Sequence, residues 1–230
     1  MQLCFLNSTA IIILQVLYIG THPYPTDIHV LSPDTDVYTF LMDLVSHDRL
    51  STKHHLHMYN KSKTHPIIDI KCNVRRLGKR KSQALIGLQE LTGSDWGGKF
   101  VGNQKLTWCK RFLALDDDDP IITALINLGK SSIPMSLTDD GELPEELRPL
   151  ERFVCMAYCT TLVPAPEYPL TIPKLRWHLF RTKNAEGENL PPTRGVLLPH
   201  ITRANYIAMR DKSYTERSVY FSLFVSRKKL

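Results

Sequence analysis

The sequence predicts an α/β fold: a three-layer sandwich around a short parallel sheet, with a helical carboxyl-terminal region after it. Three observations carry that expectation. Apolar runs of strand length stand at 28–32, 56–60 and 67–70. Between the first two, Val37, Phe40, Leu41, Leu44 and Val45 recur at helical spacing. Strand–helix–strand alternation of this kind favours parallel strands covered on both faces.

The elements follow in order. Residues 10–19 form an uncharged apolar run closed by Gly20 and a turn-rich His22-Pro23-Tyr24-Pro25. A secretory leader needs a basic start and a small-residue cleavage site. Neither is present, so this run is expected to be a buried helix and the protein intracellular, nuclear or cytoplasmic, without a membrane partner. Helices are expected at 82–91, with Ala84, Leu85, Leu88 and Leu91 on one face, and at 105–115. Asp116 to Asp119 precede Pro120. Four acids in a row suggest a cation cluster, but Asp119 as a cap with Pro120 at the first helical position accounts for them better. A further helix is expected over 143–161. A proline-rich connector then holds Pro164, Pro166, Pro169 and Pro173, and a last helix, capped by Thr193, spans about 194–210 with Pro199 inside it. The expected organisation is a core over 1–130, a helical extension over 131–212 and a basic tail over 213–230.

Net charge is +6 and the isoelectric point near 9.0, which suits a polyanion such as DNA or RNA. With 43% hydrophobic and 23% charged residues the chain can bury a core. Five scattered cysteines with no Cys-x-x-Cys pair argue against a disulfide framework. Cys155 and Cys159 are expected to be buried thiols. His54, His55 and His57 have no second ligand cluster to complete a metal site and are read as surface residues of an edge strand. Trp108, Phe112 and Leu115 are read as core.

The chemistry centres on Asp34 and Asp36. In extended chain, residues two apart point the same way. At the carboxyl end of a strand in an α/β sheet, where ligands gather, two carboxylates on one side invite a cation. Oxygen ligands suit Mg2+ or Mn2+. The competing reading is local: Asp34 a turn former after Pro33, Asp36 the cap of a helix from Val37. Asp95 adds an acid where nothing local demands one, after an apolar helix and before Gly97 and Gly98. The stretch containing Arg75, Arg76, Lys79, Arg80 and Lys81 is either a phosphate-binding surface or a solvated lead-in to a helix.

Ser32-Pro33-Asp34-Thr35-Asp36-Val37, followed much later by Leu91-Thr92-Gly93-Ser94-Asp95, resembles the paired acid signatures of flap endonucleases and the wider PIN-like nuclease superfamily. The chain is more closely similar to multi-copy invertebrate and lower-vertebrate proteins with PIN-like domains. It shares with them Phe100-Val101-Gly102-Asn103-Gln104-Lys105, Leu190-Pro191-Pro192-Thr193 and His200-Ile201-Thr202-Arg203-Ala204-Asn205-Tyr206. The similarity spans roughly residues 11–212. It implies a PIN-like core, Asp34, Asp36 and Asp95 as ligands of catalytic Mg2+ or Mn2+, and Lys99 and Lys105 beside a turn that grips a phosphate backbone.

The departures bear on activity. Asn7-Ser8-Thr9-Ala10 stands where active relatives carry two acids, the first strand and first acid of a full core are missing, and Arg210-Asp211 replaces a tryptophan. Two-metal catalysis needs enough anionic ligands for ions about 3.5–4 Å apart. The resemblance therefore implies a degenerate or truncated divalent-metal-dependent nuclease acting on phosphodiesters. The alternative is an inactive scaffold that binds nucleic acid or protein, including one derived from a mobile element.

Overall fold

The computed structural model describes residues 8–60, 66–93, 98–159, 170–183 and 187–226, with side chains as far as 214 except at 8, 183 and 188. Two compact units make up the chain, Met1–Ile86 with Arg210–Leu230, and Gly87–Met209.

In the first unit, α1 (Ser8–Gly20) buries Ala10, Ile13 and Val16. Strand β1 (Asp27–Leu31) alternates: Ile28 and Val30 go inward, while Asp27, His29 and Leu31 face solvent. Helix α2 (Thr35–Ser46) places Val37, Phe40, Leu41 and Leu44 in the core, the spacing seen in the sequence. Strand β2 (His55–Tyr59) lies parallel to β1, with Asp27 opposite His55 and Leu31 opposite Tyr59. Strand β3 (Ile67–Asp69) completes the order β1-β2-β3 but runs antiparallel to β2.

The fold is thus mostly helical α/β with a small mixed sheet, not an all-parallel one. The reason is chain length. Residues 60–66 alone join β2 to β3, and the Asn60 amide donates to the Pro66 carbonyl at 3.0 Å. A parallel crossover needs a dozen or more residues. Strand β2 is consequently central, so the expected edge position of its histidines is wrong. His54, just before it, is fully buried.

Helix α3 (Ile70–Leu77) starts directly from β3, with Asp69 accepting the Cys72 amide at 2.9 Å. It splits the basic stretch: Arg75 and Arg76 occupy its last turn, Gly78 breaks it at φ +92°, and Lys79 begins α4 (Lys79–Thr92). The apolar face of α4 is Ala84, Ile86, Leu88 and Leu91, with Leu85 only half-buried.

The second unit holds α5 (Lys105–Leu113), α6 (Pro120–Asn127), a 3-10 turn at Glu145–Leu147, α7 (Arg148–Ala157), α8 (Ile172–Lys183) and the first part of α9 (Arg194–Ser226). Trp108 and Phe112 are buried as expected, and Trp108 packs on Phe153 with ring centroids 5.3 Å apart. Asp119 caps α6, accepting the Ile121 amide at 2.8 Å with Pro120 at the first position. Cys155 and Cys159 are buried thiols, and burial pushes Cys155 well above the ordinary cysteine range.

Two expectations fail here. The connector ends at α8, whose Pro173 sits in the first turn, where a missing amide costs nothing. The last helix continues well past Arg210, so most of the expected tail is helical. Pro164, Pro166, Pro169 and residues 227–230 lie outside the described residues. Among the described residues no helix is long and apolar enough to cross a membrane.

Candidate functional site

The chain leaves β1 at Leu31 and enters α2 at Thr35, so Asp34 and Asp36 stand at the carboxyl end of a strand with a parallel neighbour. The turn is built locally. Buried Ser32 accepts the Asp34 amide on its hydroxyl at 3.1 Å. Asp34, extended at φ −82° and ψ 126°, then accepts the Asp36 amide on Oδ1 at 2.9 Å. Asp34 is therefore the cap of α2. The sequence reading gave that role to Asp36, two residues late. Asp36 instead lies in the first turn, where a negative charge meets the positive end of the helix.

Capping engages one lone pair of one Asp34 oxygen. The carboxylate is solvent-exposed and retains acceptor capacity for another partner. Asp95, the third expected ligand, lies outside the described residues, as do Ser94, Trp96 and Gly97. Among the described residues no three His, Cys, Asp or Glu side chains form a group that could hold a metal ion.

A further acid was not found from sequence. Asp211, on the part of α9 belonging to the same unit, is 7% exposed. Burial raises its carboxyl above the usual aspartate range. Arg210 opposes this, with Nε and Nη2 both donating to Asp211 Oδ1 at 2.9 Å, and the charge of Asp36 pushes the carboxyl further up. Asp36 and Asp211 thus share one electrostatic neighbourhood. An electrostatic coupling between residues so distant along the chain leaves no mark in local pattern. Asp43, buried at 1% in α2, is also missed. It pairs with His47 at 3.2 Å and raises that imidazole above its ordinary value.

The expected phosphate contacts divide between the units. In the first, Arg75, Arg76, Lys79 and Arg80 are exposed and Lys81 is half-buried. Lys79 reaches Asp48 at 2.5 Å. No acid stands in the first turn of α4, so three cations sit at the positive end of a helix dipole. That placement is unfavourable, and the Asp48 carboxylate offsets part of it at Lys79. In the second unit, Lys99 and Lys105 are exposed. Between them Val101 and Gly102, the latter at φ +77°, form a turn that leads into α5.

Phe100 is buried and packs on Trp108 and on His200, with centroids 5.0 and 4.6 Å away. His200 donates from Nε2 to the Leu91 carbonyl at 2.7 Å, satisfying a carbonyl at the end of α4, and burial holds its imidazole below the ordinary value. Lys99, Phe100, Tyr158, Pro192 and His200 border a cavity of about 210 Å³.

Compared with protein-family models, curated proteins and solved structures, the chain gives no match to any of them.

Proposed function

We propose that the chain is a degenerate PIN-like, divalent-metal-dependent nuclease acting on phosphodiester bonds of nucleic acid. The observation that carries the reading is the position of Asp34 and Asp36 where β1 ends and α2 begins, beside a parallel strand. Carboxylates there face the side of a sheet on which ligands collect. Asp34 and Asp36, with Asp95, would hold Mg2+ or Mn2+. Such an ion polarises a phosphoryl oxygen and lowers the pKa of an attacking water. The cations at Arg75, Arg76 and Lys79–Lys81 would neutralise phosphates along the strand. The three-layer PIN-like sandwich belongs to the same proposal, as the ancestral form of this core.

A second reading, an inactive nucleic-acid-binding scaffold, draws on a specific observation. Asp34 already serves as a cap and Asp211 is neutralised by Arg210, so two of the described carboxylates have structural employment.

Incubation of the full chain with single-stranded, duplex and branched DNA and RNA, with Mg2+ or Mn2+, separates the two. The nuclease reading predicts cleavage that Asp36→Asn abolishes. Cleavage unchanged by Asp36→Asn removes it, and absence of cleavage with retained binding leaves the scaffold.

A further inference from the structure

Helix α8 has two unlike faces. Ile172, Leu175 and Leu179 are 1%, 0% and 4% exposed and anchor the helix in the second unit. On the outer side Trp177 is 64% and Phe180 57% exposed. The two rings lie one helical turn apart, with centroids 6.3 Å apart and planes 29° from parallel. Lys174 and Arg181 are exposed on the same helix. Residues 172–183 contain four Lys or Arg and no Asp or Glu. Arg176 is turned the other way, donating to the Pro191 carbonyl.

We infer that the outer face of α8 binds single-stranded nucleic acid, with Trp177 and Phe180 stacking on unpaired bases and Lys174 and Arg181 meeting the backbone phosphates. Large exposed aromatic pairs are unusual on a soluble surface and mark contact sites. The surrounding charge selects a polyanion. Near-parallel exposed rings suit planar partners, and every base has a π-face. In a duplex those faces are hidden by neighbouring base pairs, so the site requires an unpaired strand. A membrane surface fits less well. An interfacial helix needs a continuous apolar face, and the continuous apolar face of α8 is already packed inside the protein.

The inference stands apart from the carboxylate reading, because stacking needs no metal. The full chain is titrated in EDTA against fluorescein-labelled oligothymidylate and oligouridylate of roughly twenty nucleotides, and affinity is read by anisotropy. Trp177→Ala and Phe180→Ala should each weaken binding about tenfold, and Trp177→Phe should retain most of it. Lys174→Gln should lower the slope of log affinity against log salt by about 0.7. Both aromatic side chains are exposed, so circular dichroism should be unchanged; should an alanine variant fail to fold, the charge-reversed pair Lys174→Glu with Arg181→Glu supplies the same test by losing binding.

Three results overturn the inference. One is a Trp177→Ala/Phe180→Ala variant that binds within about twofold of the wild type. Another is wild-type binding to duplex of equal length as tight as to single strand. The third is preferential binding to phosphatidylserine vesicles or polyglutamate.

Discussion

Removing the Glu151 carboxylate should be among the most damaging single changes in the second unit. Glu151, on α7, is 2% exposed. Its Oε1 accepts the Ile172 amide at 2.9 Å, at the first turn of α8, and Arg194 Nε at 2.7 Å, at the first turn of α9. Its Oε2 accepts Arg194 Nη2 at 3.3 Å. One carboxylate therefore ties three helices together. In Glu151→Ala the guanidinium keeps Glu142, 2.7 Å away and itself half-exposed, and the Ile172 amide loses its acceptor. Breaking a buried ion pair by deleting one partner costs about 3–5 kcal/mol. At about 2–4 °C per kcal/mol for a chain of this size, the melting temperature should fall by about 6–20 °C. Replacing both members, as in Glu151→Met/Arg194→Leu, should recover part of that loss, because no buried charge is left stranded while the Ile172 amide still lacks its acceptor. Thermal and urea unfolding followed by circular dichroism measure both variants. A Glu151→Ala protein within about 1 kcal/mol of the wild type would refute the claim that this carboxylate organises the unit.

Three other outcomes are expected. Asp34→Ala should lose the cap of α2 and about 1 kcal/mol, whereas Asp34→Asn, an equally good cap, should unfold within a degree or two of the wild type; equal losses would show that the cap is not what Asp34 contributes. Gly87→Ala should destabilise by about 1–3 kcal/mol despite the better helix propensity of alanine, since the new methyl carbon would stand 2.1 Å from the Leu125 carbonyl oxygen; a stabilised variant in a urea titration would contradict that close approach. Burial holds His200 below its unfolded pKa, so the unfolded chain takes up a proton that the native one does not as pH falls through the ordinary histidine range, and stability is lost there. Relative to His200→Gln, the wild type should therefore lose stability between about pH 7.5 and 5.5, and a pH-independent difference would exclude His200 as the source.

Local pattern made much of the first unit legible. The spacing of Val37, Phe40, Leu41 and Leu44 gave α2 and an apolar run of strand length gave β1, but of the Pro33-Asp34-Thr35-Asp36 stretch only Pro33 and Asp34 lie between them, because the helix already starts at Thr35. The cap was misplaced because an Asp-x-Asp pair offers two candidate positions, and only the geometry of the Ser32 and Asp34 bonds decides between them. The direction of β3 was not legible from its three residues, though the short connection before it held the answer. Helix α8 was hidden by the prolines around it, yet Ile172, Leu175 and Leu179 carried helical spacing, and that signal could have found it. Asp211 could not be found from sequence. Its nearness to Asp36 is a tertiary fact that no local periodicity records.

Direct Mn2+ uptake by the full chain tests the central claim most closely, followed as loss of the free-ion electron paramagnetic resonance signal. The account predicts saturable binding by the wild type, loss of it in Asp36→Asn, and weaker binding in Asp34→Asn at nearly unchanged melting temperature. Equal uptake by the wild type and Asp36→Asn, or no uptake by a folded wild type, would contradict a metal site at the end of β1.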